Sequence, residues 1–349
     1  MAFDPNAAAL EGSGVFGLPH DEANARVVLV PVPFDATTSY GQGAADGPRA
    51  ILHASRQVDL FDLDTGRPYE AGIFMLDEPE EVRAWNADAR ALAEGIIAVG
   101  GMIQGRPELQ EALSRVNAFS ARVNDRVHRD VARLIAAGKI VGVVGGDHAV
   151  PFGAIVAHAE RYPGLGVLHF DAHADLRHAY EGFEFSHASI MDNVVRRIEG
   201  VGKLVQVGLR DLSEQEFEAI ARSSGRIVAH YDVDLKRARR RGESWDALCA
   251  KIVSSLPAQV YVSFDIDGLD PTLCPHTGTP VPGGLSFDEA VAVIEAVVTS
   301  GRTIVGFDLN EVAPGPDGDE WDANVGARML YKLIGWTLVS QGISRSIRA

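Results

Sequence analysis

The sequence of 349 residues has little cysteine and no run of about 18 consecutive apolar residues, the length that predicts a transmembrane helix. Its two cysteines, Cys249 and Cys274, are too few for a disulfide framework or a thiolate zinc site. Basic residues are also scarce, since 32 Lys and Arg face 48 Asp and Glu, a formal net charge of −16. This balance argues against nucleic acid and membrane surfaces as partners and favours a small cationic substrate.

Three common signatures are missing as well. The N-terminal residues 1–14 lack the basic-then-apolar layout of a secretory signal. The sequence contains no GxxxxGK[ST] phosphate loop and no GxSxG nucleophile elbow. The 46% hydrophobic and 23% charged residues are typical of a globular protein. We therefore expect a cytoplasmic enzyme.

Short apolar runs rich in β-branched residues alternate with helix-like stretches. The runs are near-continuous in Val, Ile and Leu, which is typical of parallel strands covered on both faces. The predicted strands are 26–32, 72–76, 139–144, 166–170, 203–209, 226–231, 259–264 and 302–307. The predicted helices are 88–99, 108–137, 151–160, 214–223, 244–255 and 286–299, the last opened by a capping box of Ser286 and Glu289. This alternation predicts a three-layer α/β/α fold around a mostly parallel sheet of eight strands.

The chain shows no internal repeat, no low-complexity tract and no linker long enough to divide it. Residues 77–137 hold two helical stretches without an intervening strand, and nothing around them resembles a domain boundary. We therefore predict a single domain over residues 1–349, with 77–137 as a helical excursion within it.

Four polar clusters follow the carboxyl ends of predicted strands. They are Gly-Gly-Asp-His at 145–148, Asp-Ala-His-Ala-Asp at 171–175, Asp-Ile-Asp-Gly-Leu-Asp at 265–270 and Asp-Leu-Asn-Glu at 308–311. In an open parallel sheet, ligands bind at the carboxyl edge of the strands. We therefore expect these four clusters to converge at one site.

The spacing within the clusters indicates a metal site. Alternate residues of an extended segment share a face, so Asp171, His173 and Asp175 can point the same way, and Asp265 and Asp267 repeat this geometry. Four carboxylates with two imidazoles suit Mn²⁺, although imidazole also tolerates Ni²⁺, Co²⁺ or Zn²⁺. One divalent ion would leave excess negative charge, which favours two. A lone Asp commonly caps a helix and a lone His is commonly structural, but four converging clusters favour the metal interpretation.

Three segments, 145–148, 171–175 and 263–271, resemble the signature motifs of the ureohydrolases, the arginase/agmatinase family of binuclear manganese enzymes. Further matching segments are Pro33-Phe34-Asp35, Thr38-Ser39-Tyr40, 47–51, 277–281 and 311–314. The resemblance runs in the family's order from about residue 27 to about residue 340, nearly the whole chain. The resemblance is specific for the family, but it says much less about which substrate is hydrolysed.

The resemblance implies two metal ions with shared ligands. One would be held by His148, Asp171, Asp175 and Asp265, and the other by His173, Asp171, Asp265 and Asp267, with Asp171 and Asp265 bridging. Mn²⁺ is the expected metal and Ni²⁺ the alternative. Asp147 and Asp308 would orient these ligands.

Two further residues acquire catalytic roles from the resemblance. His187 matches the proton-shuttling histidine, although Ala188 follows it where the family more often has glycine. Glu311 matches the carboxylate that pairs with the substrate guanidinium. Two cations can ionise a shared water near neutral pH, and the resulting hydroxide would attack the guanidinium carbon while His187 protonates the departing amine. The products would be urea and an amine.

The family hydrolyses arginine, agmatine, guanidinobutyrate, formiminoglutamate and related compounds. Arginases usually continue the 171–175 motif with Ile-Asn and a serine-bearing loop, whereas this chain continues Leu-Arg-His-Ala-Tyr-Glu at 176–181. With 33–35 and Tyr40, this favours agmatine, hydrolysed to putrescine. An arginase, guanidinobutyrase, guanidine hydrolase or formimidoglutamase remains an alternative. A homotrimer or homohexamer is expected, since ureohydrolases are commonly either.

Two readings from other classes remain. A related zinc deacetylase would use one metal, which His148 and the pair Asp265 and Asp267 argue against. An inactive ureohydrolase-like partner subunit is opposed by the complete set of ligands. Three other histidines have simpler explanations: His169 as a buried strand residue, His178 as a rim residue or rival shuttle, and His276 as part of a structural turn with a channel-lining role as the alternative.

Overall fold

The computed structural model describes residues 3–347, in which eight strands form one parallel sheet. The strands are β1 Val27–Val32, β2 Ile73–Met75, β3 Ile140–Gly145, β4 Leu165–Phe170, β5 Val201–Leu209, β6 Ile227–Tyr231, β7 Gln259–Asp265 and β8 Thr303–Asn310. Their order across the sheet is β2-β1-β3-β8-β7-β4-β5-β6. The prediction of an eight-stranded, mostly parallel sheet is confirmed, and every predicted strand is present.

Ten α-helices connect and cover the strands within the described residues. They are α1 Gly47–Ser55, α2 Glu80–Ile97, α3 Pro107–Ala136, α4 Phe152–Arg161, α5 Ile190–Arg197, α6 Glu214–Arg222, α7 Asp232–Arg240, α8 Trp245–Ser254, α9 Phe287–Thr299 and α10 Trp321–Ser340. The predicted capping box opens α9, where the Ser286 hydroxyl accepts the N–H of Glu289 at 3.2 Å and the Glu289 carboxylate accepts that of Ser286 at 3.0 Å. Between residues 3 and 347 no helix is both long and apolar enough to span a bilayer.

Both faces of the sheet are buried under helices. In β1, Val27 and Leu29 pack into one apolar cluster with α1, α8, α9 and α10, whereas Val28, Val30 and Val32 pack into another with α3, α4 and α5. Neighbouring residues of a strand point to opposite faces, so a strand covered on both sides is apolar at nearly every position. This is why the strands appeared in the sequence as continuous apolar runs, and it confirms the three-layer architecture.

The helix predictions were less complete than the strand predictions. Helices α1, α5 and α7 were not predicted. In α7 the sequence Asp-Val-Asp-Leu-Lys-Arg-Ala-Arg-Arg buries only Asp232 and Leu235, so it has no apolar stripe to detect. Helix α2 begins at Glu80 rather than at residue 88, directly after Pro79. Its first turn carries Glu80 and Glu81, which favour a helix N-terminus by charge and not by apolar spacing.

The segment 77–137 contains α2 and α3 and no strand, as predicted. Helix α3 lies against the sheet, because Val127, Val131 and Leu134 share an apolar cluster with Val141 and Val143 of β3. This packing agrees with one domain over 1–349, which stays a prediction. The first two and the last two residues of that range lie outside the described part of the chain.

The strand order brings the four polar clusters together. Strands β3, β8, β7 and β4 are consecutive in the sheet and precede the clusters at 145–148, 308–311, 265–270 and 171–175. Because all four strands run in the same direction, all four clusters lie at the same edge. The expected convergence follows from this arrangement.

Gly153, in the first turn of α4, determines how closely α4 can approach α3. A methyl group there would meet the backbone oxygen of Asn124 at 2.2 Å and the backbone nitrogen of His128 at 2.8 Å. We expect Gly153→Ala to lower the free energy of unfolding by about 1–3 kcal/mol through overpacking, measured by urea denaturation. Gly95→Ala in α2 is the matched control, since its methyl would meet only the flexible Leu109 side chain, at 3.2 Å. Equal effects at the two glycines would contradict this account.

Candidate active site

The first group of polar side chains surrounds one nitrogen of His148. Its Nδ1 lies 3.1 Å from Oδ2 of Asp171 and 3.3 Å from Oδ2 of both Asp175 and Asp265. All four side chains are buried. Octahedral donors about 2.1 Å from a common ion lie about 3 Å apart, and the distances of the three oxygens from Nδ1 match that spacing.

The second group adjoins the first through Asp171. Nδ1 of His173 lies 3.3 Å from Oδ1 of Asp171 and 3.0 Å from Oδ2 of Asp267. Asp171 therefore directs one carboxylate oxygen to each group, which is what a bridging ligand requires. Asp265 directs Oδ2 to the first group, while its Oδ1 accepts the N–H of Asp267 at 2.8 Å. The structure thus brings all six predicted ligands together; their metal-binding roles, including bridging by Asp265, stay predictions.

A hydrogen-bonded chain fixes the orientation of the His148 ring. Its Nε2 lies 2.9 Å from the hydroxyl of Ser263, which donates to Oδ1 of Asp308 at 3.0 Å. Since the hydroxyl hydrogen is used by Asp308, the hydroxyl accepts the Nε2–H of His148. Nδ1 is then the atom that faces the carboxylates, and once it loses its proton its lone pair points to where a metal would need it. Asp147 contacts other groups, the N–H of Ala149 and the hydroxyl of Thr37.

His169 is a contact that the sequence did not predict. It is buried, as expected, but its Nε2 lies 2.9 Å from Oδ2 of Asp171. The amide nitrogen of Gln206 donates to the carbonyl of Ala174 at 2.7 Å and to Nδ1 of His169 at 2.9 Å. Nδ1 is therefore an acceptor, and Nε2–H donates to Asp171. The signal was present in the sequence, because His169, Asp171 and His173 are spaced by two residues and share a face.

These supporting residues form one row across the sheet. In the strand register, His169 of β4 pairs with Gln206 of β5 and with Ser263 of β7, and Ser263 pairs with Asp308 of β8. All four are fully buried. The row lies two residues before Asp171, Asp265 and Asn310 on their strands. A continuous polar row beneath the ligands therefore connects four strands.

Glu311 lies directly beside the first group. Its Oε1 accepts the N–H of His148 at 2.8 Å, and its own N–H donates to the carbonyl of Gly146 at 2.9 Å. The hydroxyl of Thr277 donates to its backbone oxygen at 2.9 Å, so the 271–282 loop adjoins it. Burial and the neighbouring charges of Asp265 and Asp147 raise the pKa of Glu311 well above its usual range. A cation beside this carboxyl would favour its ionised form.

His187, in the 183–189 segment, lies near the two ligand groups, close enough for the charges of His173 and Asp171 to affect its pKa. Its Nε2 lies 3.4 Å from the hydroxyl of Ser39, and the Tyr180 ring meets its ring edge-on with centroids 6.1 Å apart. Burial and the charge of His173 lower the pKa of His187 to about 4. The ring is therefore neutral at neutral pH and can accept a proton.

The other two histidines considered in the sequence analysis, His178 and His276, do not contact the proposed ligands. His178 is 77% exposed and lies 3.5 Å from Asp192, which agrees with a rim position. His276 donates its backbone N–H to the buried carboxylate of Asp322 at 2.9 Å, and its Nδ1 lies 2.9 Å from the other oxygen. This favours the structural interpretation of His276, as an anchor for the loop next to Glu311.

Protons balance the charge of the clustered carboxylates when no metal is bound. Burial opposes protonation of His173, but the carboxylates of Asp267 and Asp171 raise its pKa to about 12. Burial likewise opposes protonation of His148, yet Asp171, Asp175 and Asp265 raise its pKa well above the usual range. Bound cations would balance the same negative charge that these protons balance. Protons and metal ions are therefore expected to compete for the site.

Comparison with known proteins identifies the family. The arginase family model matches residues 25–335. The chain is 35% identical over 338 residues to the N(1)-aminopropylagmatine ureohydrolase of Thermus thermophilus, covering 95% of this chain and 98% of that protein. The chain belongs to the arginase family. It is also 32% identical over 314 residues to the agmatinase of Bacillus anthracis, covering 89% and 91% of the two chains.

Solved structures agree in fold. A hypothetical agmatinase from Burkholderia thailandensis superposes with a TM-score of 0.71 at 24% identity, covering 97% of this chain and 93% of that one. The arginase of Medicago truncatula gives a TM-score of 0.62 at 24% identity, with coverages of 92% and 88%. The family resemblance, the arginase-like fold and the assignment as an arginase-family hydrolase are thereby confirmed.

The raised pKa values predict opposite pH effects with and without metal. A histidine with a raised pKa stabilises the fold below its unfolded pKa of about 6.5, and this contribution is lost as the pH rises through the folded value. The metal-free protein should therefore lose stability as the pH rises above about 6.5 towards the folded pKa of His173, about 12, and Mn²⁺ competes better with the protons over the same range. We expect the gain in Tm on adding Mn²⁺, measured by scanning fluorimetry, to be several degrees larger at about pH 8.5 than at about pH 6.

Two variants control this measurement. His173→Ala should reduce the difference between the two pH values, whereas His128→Ala should not, because His128 pairs with Glu160 on the surface. A metal-induced gain in Tm that is the same at both pH values would show that the imidazoles do not exchange protons for metal.

Proposed function

We propose that this protein is a ureohydrolase that uses two divalent cations to hydrolyse a guanidino compound to urea and an amine, with agmatine, giving putrescine, as the first assignment. The observation that carries the proposal is the pair of carboxylate–imidazole groups joined by Asp171, with the Glu311 carboxylate beside them. Relatives named agmatinase and N(1)-aminopropylagmatine ureohydrolase support a guanidino substrate with an amine end.

The donor set suits two hard or borderline cations. It offers carboxylate oxygens and imidazole nitrogens, while both cysteines are buried free thiols outside the ligand groups, with Cys274 directed at the backbone oxygen of Ile266. We assign Mn²⁺ first and Ni²⁺ second on this chemistry. When bound, the two ions would ionise a water molecule near neutral pH and polarise the guanidino group. The ligands would be His148, Asp171, Asp175 and Asp265 for one ion, and His173, Asp171, Asp265 and Asp267 for the other.

Glu311 and His187 have separate roles in this proposal. Glu311 would accept the N–H groups of the planar guanidinium with its two oxygens, held in place by the N–H of His148. His187, neutral and next to the Ser39 hydroxyl, would take up a proton and deliver it to the departing amine. Glu311 would thus supply the charge and the planar pairing with the guanidinium, and His187 would supply the proton transfer.

A longer substrate is the second candidate. The relative from Thermus thermophilus is named for agmatine that carries an aminopropyl group, and it is 35% identical to this chain over nearly its full length. Such a compound would present the same guanidinium to Glu311 and would extend a longer cationic chain away from it.

Glu311→Gln tests the proposal, because it keeps the shape of the side chain and removes its charge. We expect both metal ions to be retained while kcat/KM for agmatine falls by about 10²-fold or more, through loss of a charge-assisted, orienting contact. Urea release and metal analysis measure the two effects, and wild type should hold two ions per chain. Glu320→Gln is the matched control, a carboxylate on the following loop that pairs with His53. Loss of metal would make Glu311 a ligand, and unchanged kinetics would place the guanidinium anchor elsewhere.

We also propose a homotrimer or homohexamer, on the family resemblance. Light scattering at working concentrations should give three or six times the chain mass of 37.4 kDa. A purely monomeric mass would contradict this. The cytoplasmic location stays a prediction.

A further inference from the structure

Glu181 occupies a backbone position that rarely suits glutamate. Tyr180 and Phe183 exchange backbone hydrogen bonds of 3.1 and 2.8 Å, which closes a two-residue turn. Both central residues have positive φ, 53° at Glu181 and 94° at Gly182. Turns of this kind favour Asn, Asp or Gly at the first central position, because a longer side chain there is strained.

Two predicted members of the candidate site share this backbone feature. In the part of the chain that the structure describes, the non-glycine residues with positive φ are Phe16, Asp175, Glu181, Ser224, Glu311 and Asp317. Asp175 belongs to the first ligand group and Glu311 is the proposed guanidinium anchor. Backbone strain persists where the surrounding structure enforces it, and it is concentrated at functional sites.

Contacts place the turn that carries Glu181 next to His187 and the Ser39 loop. The neighbouring Tyr180 ring meets the His187 ring edge-on. The guanidinium of Arg90 lies close enough to oppose the rise in the pKa of Glu181 that burial causes, and it donates to the carbonyl of Thr38 at 2.7 Å. Thr38 precedes Ser39, whose hydroxyl faces His187. Glu181 therefore flanks the loop that carries Ser39.

The carboxylate of Glu181 has an unused acceptor. Its Oε2 is buried without a hydrogen-bond partner among residues 3–347, as is Nε of the nearby Arg90, whose guanidinium donates instead to the carbonyl of Thr38. Glu184, at the end of the same turn, pairs instead with Arg197 at 3.0 Å. A buried carboxylate oxygen without a donor is unfavourable, and a ligand bearing a cationic N–H group would satisfy both its charge and its lone pair.

The connection between α2 and α3 packs against the backbone of this turn. A methyl group on Gly101, in the connection between α2 and α3, would meet the Cα of Glu181 at 2.7 Å. The backbone of the turn is therefore held against the α2–α3 connection, so Glu181 cannot relax without moving it.

We propose that the Glu181 carboxylate binds the second cationic nitrogen of the substrate, the one that does not react. This inference rests on the proposed function, since it requires a guanidinium held by Glu311. It makes the substrate class guanidino compounds with an amine at the far end. A carboxylate at that end would be repelled, and a neutral end would leave Oε2 unsatisfied.

The test compares three ligands that each carry four carbon atoms on the guanidino group and differ in the end of the chain: agmatine, butylguanidine and 4-guanidinobutyrate. Glu181→Gln should lower kcat/KM for agmatine by at least about 10-fold, mainly through KM, as expected for loss of a charge-assisted hydrogen bond. The value for butylguanidine, or its inhibition constant against agmatine, should change by less than about 2-fold. Activity on 4-guanidinobutyrate relative to agmatine should rise. Glu184→Gln is the matched control and should leave all three unchanged.

A second variant separates binding from folding. Glu181→Asn suits the positive φ and lacks the charge, so it should show the same selective loss for agmatine without a lower Tm. Equal losses for agmatine and butylguanidine would mean that Glu181 only shapes the turn, and unchanged kinetics would also overturn the proposal.

Binding distinguishes this inference from the proposed function. If wild type releases urea from no guanidino compound, the proposed function fails. Calorimetric titration with agmatine then decides about Glu181 alone. Tighter binding to wild type than to Glu181→Gln by about 10-fold supports the inference. Equal affinity, or no binding to wild type, overturns it.

Discussion

Repulsion among carboxylates buried at one edge of the sheet is the constraint that the rest of the structure serves. Asp171, Asp175, Asp265 and Asp267 lie in a region that water hardly reaches, where like charges interact strongly. The imidazoles of His148 and His173 offset part of this charge by holding protons, and divalent cations would offset it more completely. The parallel order β3-β8-β7-β4 concentrates the donors, and the surrounding hydrogen bonds keep them from moving apart.

Those hydrogen bonds also decide which atoms face the centre of the site. The hydroxyl of Ser263 accepts from one nitrogen of His148, so the other nitrogen is the one directed at the carboxylates, and it can hold either a proton or a metal ion. Gln206 does the equivalent for His169, whose remaining N–H is then committed to Asp171. Neutral side chains thus define the tautomers and directions of the charged ones, and they do so without adding to the charge that must be balanced.

The sequence predicted those parts of the protein whose physics is local. Doubly buried strands are apolar at nearly every position, so all eight were found, and spacing by two residues placed Asp171, His173 and Asp175 on one face. Helix α7 escaped because it buries so little apolar surface. Gln206 could not be found, since it meets His169 only through the register between β4 and β5, across 37 residues of sequence. Glu181 was equally hidden, because a positive φ and an unpartnered oxygen are properties of three-dimensional structure.

The buried polar row from Gln206 through His169 and Ser263 to Asp308 ties the chemistry of the loops to the interior of the sheet. A one-residue slip of any of these strands would turn its polar side chain to the opposite, apolar face. The polar side chains next to it in the row would then lose a hydrogen-bond partner. The contacts that orient the ligands in the folded protein therefore also stabilise the correct pairing of these strands during folding. The row also means that the ligand loops cannot be transferred alone. A loop grafted onto another parallel sheet would keep its sequence, but its ligand side chains would no longer be held in the right orientation unless the four strands beneath it were transferred too.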